Sequence, residues 1–148
     1  MTVVYQTLLE ITRKGVVSES ELDYFEEHVE GFPDKWGNLY LWSIQYKNYD
    51  LSDYLLESGL ELNSCEEVKW EVIKSYTLFG LYSERIIQDG FIITPEIYHS
   101  IINTYSNDKY FDNDRLDSDY KKSLFLSRKK KITRLKNNLH QKRCSVVI

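Results

Sequence analysis

At 148 residues the chain is long enough for one domain with a continuous core, and 42% hydrophobic with 28% charged residues is the balance of a soluble globular protein. Its apolar runs are only a few residues long, which excludes a transmembrane helix, and the opening MTVVYQTLLEITRK carries neither a basic leader nor a small-residue cleavage site, so a cytoplasmic location is expected. The formal net charge of −4 conceals a segregation: all 23 acidic residues lie within 1–120, beside nine Lys and Arg, whereas 121–148 holds ten Lys and Arg and no acid. Such a division implies two surfaces of opposite preference, or a tail that docks on its own body.

Along the chain the pattern reads as helix after helix. QTLLEITRKG opens the series and closes at Gly15. Ser18 and Glu21 then stand three apart in front of LDYFEEHVEG, the spacing of a capping box in which each side chain satisfies the other's backbone N–H. DKWG, 34–37, reads as a turn before a helix over NLYLWSIQYKN, 38–48. In DLSDYLLESGLELN, Leu51, Leu55 and Leu56 share one helical face with Tyr54 beside them. Gly59 follows where a helix end requires a left-handed residue. Ser64 and Glu67 repeat the capping-box spacing ahead of a helix over SCEEVKWEVIKSYTLFG, 64–80.

LYSERIIQDGFIIT next replays the earlier outline, with Ile86 and Ile87 for Leu55 and Leu56 and with Gly90 placed 31 residues after Gly59. A recurrence of that length marks stacked helical pairs. Thr94 and Pro95 supply the cap and first position of PEIYHSIINTYS. No stretch sustains strand alternation. Residues 106–120, SNDKYFDNDRLDSDY, form an acidic loop leading into a last helix. Over 121–140 a basic amphipathic helix is expected, with Phe125, Ile132, Leu135 and Leu139 on one face; together with the end RCSVVI it makes 121–148 a basic helix and tail.

Over about residues 5–94 this pattern resembles divergent ankyrin repeats. The signature of that family runs as a D-K-x-G turn, T-P-L-H-x-A opening the first helix, then L-L-x-x-G-A-D-x-N. DKWG matches the turn, and LWSIQYKNYDLSDYLLESGLELN, 41–63, follows the body, with Asn63 at the family's asparagine. The threonine and proline of T-P-L-H are absent, and one residue is missing after Gly37. The small alanine of the signature is Leu60, then Phe91 in the next copy. The resemblance implies an all-α fold of ankyrin-like stacked helical hairpins, a short solenoid over 1–105, closed by a C-terminal basic capping helix. An irregular bundle whose amphipathic helices end in glycine is the alternative. In ankyrin-like stacks the turns and first helices line a concave face. On that analogy Asp34, Lys35, Trp36, Tyr40, Tyr46, Glu66, Glu67 and Trp70 are the candidate partner-binding residues.

Constellations for chemistry are absent by pattern. DNDRLDSD, 112–119, suggests a calcium loop, but a loop begun at Asp112 would put Asp117 where glycine is needed and Ser123 where glutamate is needed. His28, His99 and His140 lie in different segments without metal-ligand spacing, and Cys65 and Cys144 stand far apart. There is no G-x-S-x-G, phosphate-binding glycine loop or H-E-x-x-H. Cys144 is fifth from the end, not fourth as prenylation requires. No enzyme activity, cofactor, metal or small-molecule substrate is therefore expected.

The reading that fits best is a non-enzymatic module for one protein partner, most concretely an immunity or inhibitor protein whose acidic surface occludes a basic target such as a toxin nuclease. The alternative is a host-directed or membrane-associated ankyrin-like adaptor. It would bind anionic lipid or nucleic acid through the basic residues of 121–143.

Overall fold

The computed structural model describes residues 2–76 and 82–128, and every regular element among them is helical. The α-helices are α1 (Thr2–Thr12), α2 (Glu19–His28), α3 (Trp36–Gln45), α4 (Tyr49–Glu57), α5 (Glu66–Lys74), α6 (Ser83–Gln88), α7 (Pro95–Tyr105) and α8, described over 113–128. Short 3-10 turns at Val29–Gly31, Pro33–Lys35 and Leu62–Ser64 carry the chain into α3 and α5.

Neighbouring helices pack in pairs, α1 on α2, α3 on α4 and α5 on α6. Tyr98 of α7 donates to Asp117 of α8 at 2.6 Å, and its ring lies 4.8 Å from that of Tyr120, joining the last pair. The odd-numbered helices also touch in succession, α1 to α3, α3 to α5 and α5 to α7. The core runs through this series: Leu8 and Phe25, then Leu39, Tyr40 and Leu55, then Val68, Val72 and Ile86, then Ile101 and Leu116, all fully buried. Each aliphatic side chain so buried contributes about 1.5–3 kcal/mol before the entropy of ordering it is subtracted.

Local chemistry fixes where the helices stop. At the end of α4 the Gly59 N–H reaches Leu56 O at 3.1 Å and the Leu60 N–H reaches Leu55 O at 3.1 Å, with Gly59 at φ +108°. α6 ends in the same way: Gly90, at φ +115°, bonds Ile87 O at 3.0 Å and Phe91 bonds Ile86 O at 3.2 Å. This is the paired closure that a left-handed residue after a helix allows, and it bears out the reading of both glycines. The end of α3 has the identical bond pattern, Lys47 to Ile44 at 3.2 Å and Asn48 to Ser43 at 2.7 Å, but with a lysine held at φ +59°. At the other ends, the Ser18–Glu21 capping box forms in full, and Thr94 Oγ1 accepts the Ile97 N–H at 3.2 Å with Pro95 leading α7.

Side-chain amides and hydroxyls then tie one pair to the next. Asn63 both donates to Ile92 O at 2.8 Å and accepts the Ile92 N–H at 2.9 Å, so its amide reads the backbone of the following turn in both directions. Buried Asn48 donates to Lys14 O at 3.1 Å, tying the α3–α4 turn to the end of α1. Ser123 of α8 accepts the Ile93 N–H at 3.1 Å and donates to Tyr120 O. Tyr40 donates to Asp89 at 2.5 Å, and Tyr76 donates to Asp119 at 2.9 Å. Asp89 also accepts from Arg85 Nε at 3.1 Å, and Arg85 spans onward to Asp53 at 3.1 Å with its guanidinium 4.2 Å from the Tyr49 ring centre.

Several expectations are corrected. α3 begins at Trp36, so Trp36 and Gly37 of DKWG are helical and only Asp34 and Lys35 remain in the turn. With the threonine and proline of the signature missing, nothing holds the chain out of helix at that point. α5 starts at Glu66 behind Cys65, which makes no side-chain cap bond. The Ser64–Glu67 box therefore does not form: Ser64 ends a 3-10 turn, and the Glu67 side chain is drawn across to α3. The non-helical stretch after α7 is shorter than 106–120, since α8 is under way at 113. Phe125 is not a core residue of α8, being 66% exposed, because α8 buries Leu116 and Ser123 with Tyr120 half-buried, and a residue nine positions past Leu116 lies half a turn away. Ile132, Leu135, Leu139, His140 and Cys144 lie outside the described residues, as does the 77–80 end of the helix expected over 64–80.

Candidate protein-binding grooves

The cleft between α3 and α5 carries two grooves, one at each end. The first, of about 480 Å³, opens where the turns before α3 and α5 meet. Its apolar lining is Pro33, Trp36, Leu60 and Cys65; its acidic lining is Asp34, Glu61, Glu66 and Glu67. Local structure positions each of them. Pro33 starts the 3-10 turn that presents Asp34. The Trp36 indole is fixed by donating to Val29 O at 2.9 Å. Leu60 is set by the closure of α4 over Gly59.

Gly37 has a particular part in this groove. A Cβ there would collide with the Glu67 carboxylate, so the glycine is what lets that side chain lie against the first turn of α3. Negative charge is favoured at that end of a helix. Cys65 bonds Glu61 O at 3.5 Å through Sγ, and burial, with the Glu67 charge second, pushes its thiol up. The thiol is thus held in its protonated, weakly nucleophilic form at neutral pH.

The second groove, about 200 Å³, lies toward the far ends of α3 and α5. It is lined by Asn38, Leu41, Trp42, Gln45, Glu71 and Tyr82, over buried Ile44. Trp42 is stacked on Tyr46 with ring centres 5.9 Å apart, and the Arg13 guanidinium sits 4.4 Å from the Trp42 ring centre.

Of the residues expected at a binding surface, Asp34, Trp36, Glu66 and Glu67 come together in the first groove. Trp70 is 53% exposed on α5, and Tyr46, just past the end of α3, is also exposed. Lys35 is turned toward α1, its Nζ 5.7 Å from the Tyr5 ring centre. Tyr40 is corrected outright. It is fully buried, its hydroxyl donates to Asp89, and burial followed by that carboxylate holds its phenol far above the ordinary range. Tyr76 is held up in the same way by burial and Asp119.

Sequence reasoning missed Glu61, Cys65, Trp42, Glu71 and Tyr82. The signal available for two of them was helical spacing: Trp42 and Tyr46 are four apart at the end of α3, and Glu67 and Glu71 are four apart on α5. Among the described residues no cluster of three or more His, Cys, Asp and Glu could hold a metal, and no helix is long and apolar enough to cross a membrane. No family model, curated protein or solved structure matches the chain.

Proposed function

We propose that this chain is a non-enzymatic binding module of ankyrin-like stacked helical hairpins whose acidic groove occludes one basic protein partner, as an immunity or inhibitor protein would. The observation that carries the reading is the first groove: four carboxylates around a floor of Trp36, Pro33 and Leu60. An apolar floor desolvates a partner's side chains while surrounding charge selects basic ones and speeds their approach. The successive contacts of α1 with α3, α3 with α5 and α5 with α7, and the matched closures at Gly59 and Gly90, support the repeat architecture. Cytoplasmic action and the absence of a substrate belong to the same reading.

The test compares the full chain with an Asp34→Asn, Glu61→Gln, Glu66→Gln variant as baits in extract of the source cell, followed by titration calorimetry on the purified pair. A basic protein that binds the parent one to one, loses affinity as salt rises, and binds the variant at least tenfold more weakly supports the reading. Equal retention by both baits, or failure of any basic protein to form a complex, overturns it.

One observation favours the adaptor alternative. On the outward face of α8, Phe125 is exposed together with Lys121 and Arg128, an aromatic ring between cations as found at lipid interfaces. Flotation of the full chain with anionic vesicles, lost on Phe125→Ala, would support that route. A chain that never floats excludes it.

A further inference from the structure

The second groove has features that the general acidity of the body does not explain. Its walls are a tryptophan, a tyrosine and a leucine, its polar groups are the amides of Asn38 and Gln45, and it holds a single carboxylate, Glu71. Glu71 is half-buried, yet its side chain makes no hydrogen bond or ion pair among the described residues. A carboxylate beside aromatic rings, with no partner among the described residues, lowers the energy of a cation placed there more than it would in open solvent. The Trp42 ring already holds the Arg13 guanidinium at 4.4 Å and the Tyr46 ring, which leaves Tyr82 as the groove's ring without a ring or cation contact among the described residues.

We infer that the groove between Trp42, Tyr82 and Glu71 receives one arginine side chain of the protein partner. The inference rests on the proposed reading that the partner is a basic protein, and it names the side chain by which that partner is anchored. Arginine suits the site better than lysine for three reasons. Its flat guanidinium stacks on an aromatic ring such as that of Tyr82, it sheds water at lower cost than an ammonium, and it presents several N–H donors at once. One edge can serve the Glu71 carboxylate while others meet the amide oxygens of Asn38 and Gln45. A volume of about 200 Å³ gives room for one such side chain rather than a stretch of backbone. Charge complementarity supplies the selection, because the body upstream of residue 121 holds all 23 acidic residues against nine cations. An aromatic-walled pocket filled by one arginine is also a form that energetically dominant interface contacts take.

The test uses the full chain, uniformly ¹⁵N-labelled, titrated with the blocked tripeptide Ac-Gly-Arg-Gly-NH2 and with its citrulline counterpart, which keeps shape and loses charge. Saturable shifts of the Trp42 indole N–H and the Glu71 and Gln45 amides are expected with the arginine peptide alone. Glu71→Gln should weaken binding about fivefold, the worth of a partly exposed ion pair. The absence of saturable shifts at Trp42, an equal response to citrulline, shifts centred on the Trp36 indole, or unchanged affinity in Glu71→Gln would each overturn it. The two readings fail separately. Arginine-peptide binding at Trp42 without a basic partner sinks the proposed function and leaves the pocket; a basic partner bound equally by Glu71→Gln sinks the pocket alone.

Discussion

Replacing Tyr40 by phenylalanine removes one oxygen from the middle of the molecule and leaves its ring in place. That hydroxyl donates to Asp89 at 2.5 Å from a fully buried ring, so the bond is charge-assisted and shielded from water. Hydrogen bonds to charged groups are worth about 1.5–3 kcal/mol, and Asp89 would retain Arg85 at 3.1 Å as a partner. The cost of Tyr40→Phe is therefore set at about 2 kcal/mol, or about 4–8 °C in Tm for a chain of this size. In an Asp89→Asn background the same change should cost about half as much, because the acceptor is then neutral.

A second signature is specific to the ionisation of the phenol. Burial and the Asp89 carboxylate raise the folded-state pKa of Tyr40, while in the unfolded chain a phenol ionises near 10. Above about pH 10 the unfolded state holds fewer protons than the native state, so this stabilisation is complete below that pH and lost as pH rises past it. The Tyr40 share of that slope approaches about 1.4 kcal/mol per pH unit and should vanish in Tyr40→Phe, while Tyr76 keeps its own. Urea titrations followed by helical circular dichroism at pH 7 and between pH 9.5 and 11 measure both effects. A loss below about 0.5 kcal/mol at pH 7, or an alkaline slope equal to that of the parent, would refute the internal role assigned to Tyr40.

The helix ends give two paired tests by urea midpoint. Gly59→Ala should destabilise by about 1–2 kcal/mol from backbone strain alone, since no atom obstructs a Cβ there, whereas Lys47→Gly should stabilise by about 0.5–1 kcal/mol. Ser18→Ala should cost about 1 kcal/mol, and Ser64→Ala less than about 0.5 kcal/mol, because only the first serine caps a helix. Burial raises the Asp119 carboxyl in the native state, so its ionisation weighs against folding increasingly as pH rises through that raised value. Asp119→Asn, which keeps an acceptor for Tyr76, should match or exceed the parent in Tm at pH 7 and lose that advantage toward pH 4; a deficit at pH 7 would reverse the sign argued for Asp119.

What was legible in the chain was what short-range chemistry decides. Gly59 and Gly90 announced their helix ends because a left-handed residue is costly for anything but glycine, and the Ser18–Glu21 box closes within four residues. Ser64 and Glu67 had the same spacing and failed, because the absence of a side chain at Gly37 gave Glu67 a berth on another helix. Nothing local marks Lys47, a lysine in glycine's role, since the strain there is borne by Asn48 bonding back to α1. Tyr40 was expected on the binding face, yet Tyr40, Tyr76 and Tyr98 each donate to an aspartate 19 to 49 residues farther along the chain, a pairing that spacing rules do not reach. Phe125 was assigned to a face drawn through residues farther along the chain, and α8 turned the opposite face inward. For the candidate site, Asp34, Trp36, Glu66 and Glu67 were found because a repeat outline placed two turns side by side; the second groove depends on how α3 and α5 meet, which the outline does not specify.

The turn between α6 and α7 gives two adjacent amides to two different neighbours. The Ile92 N–H is held by Asn63, before α5, and the Ile93 N–H by Ser123, on α8. Neither bond belongs to a helix, so each amide exchanges with solvent deuterium when its own neighbour lets go. Consecutive peptide groups thereby become separate clocks for the two sides of the same turn. If the helical pairs open one at a time from the α8 side, Ile93 exchanges ahead of Ile92. If the molecule opens only as a whole, the two exchange with one common free energy.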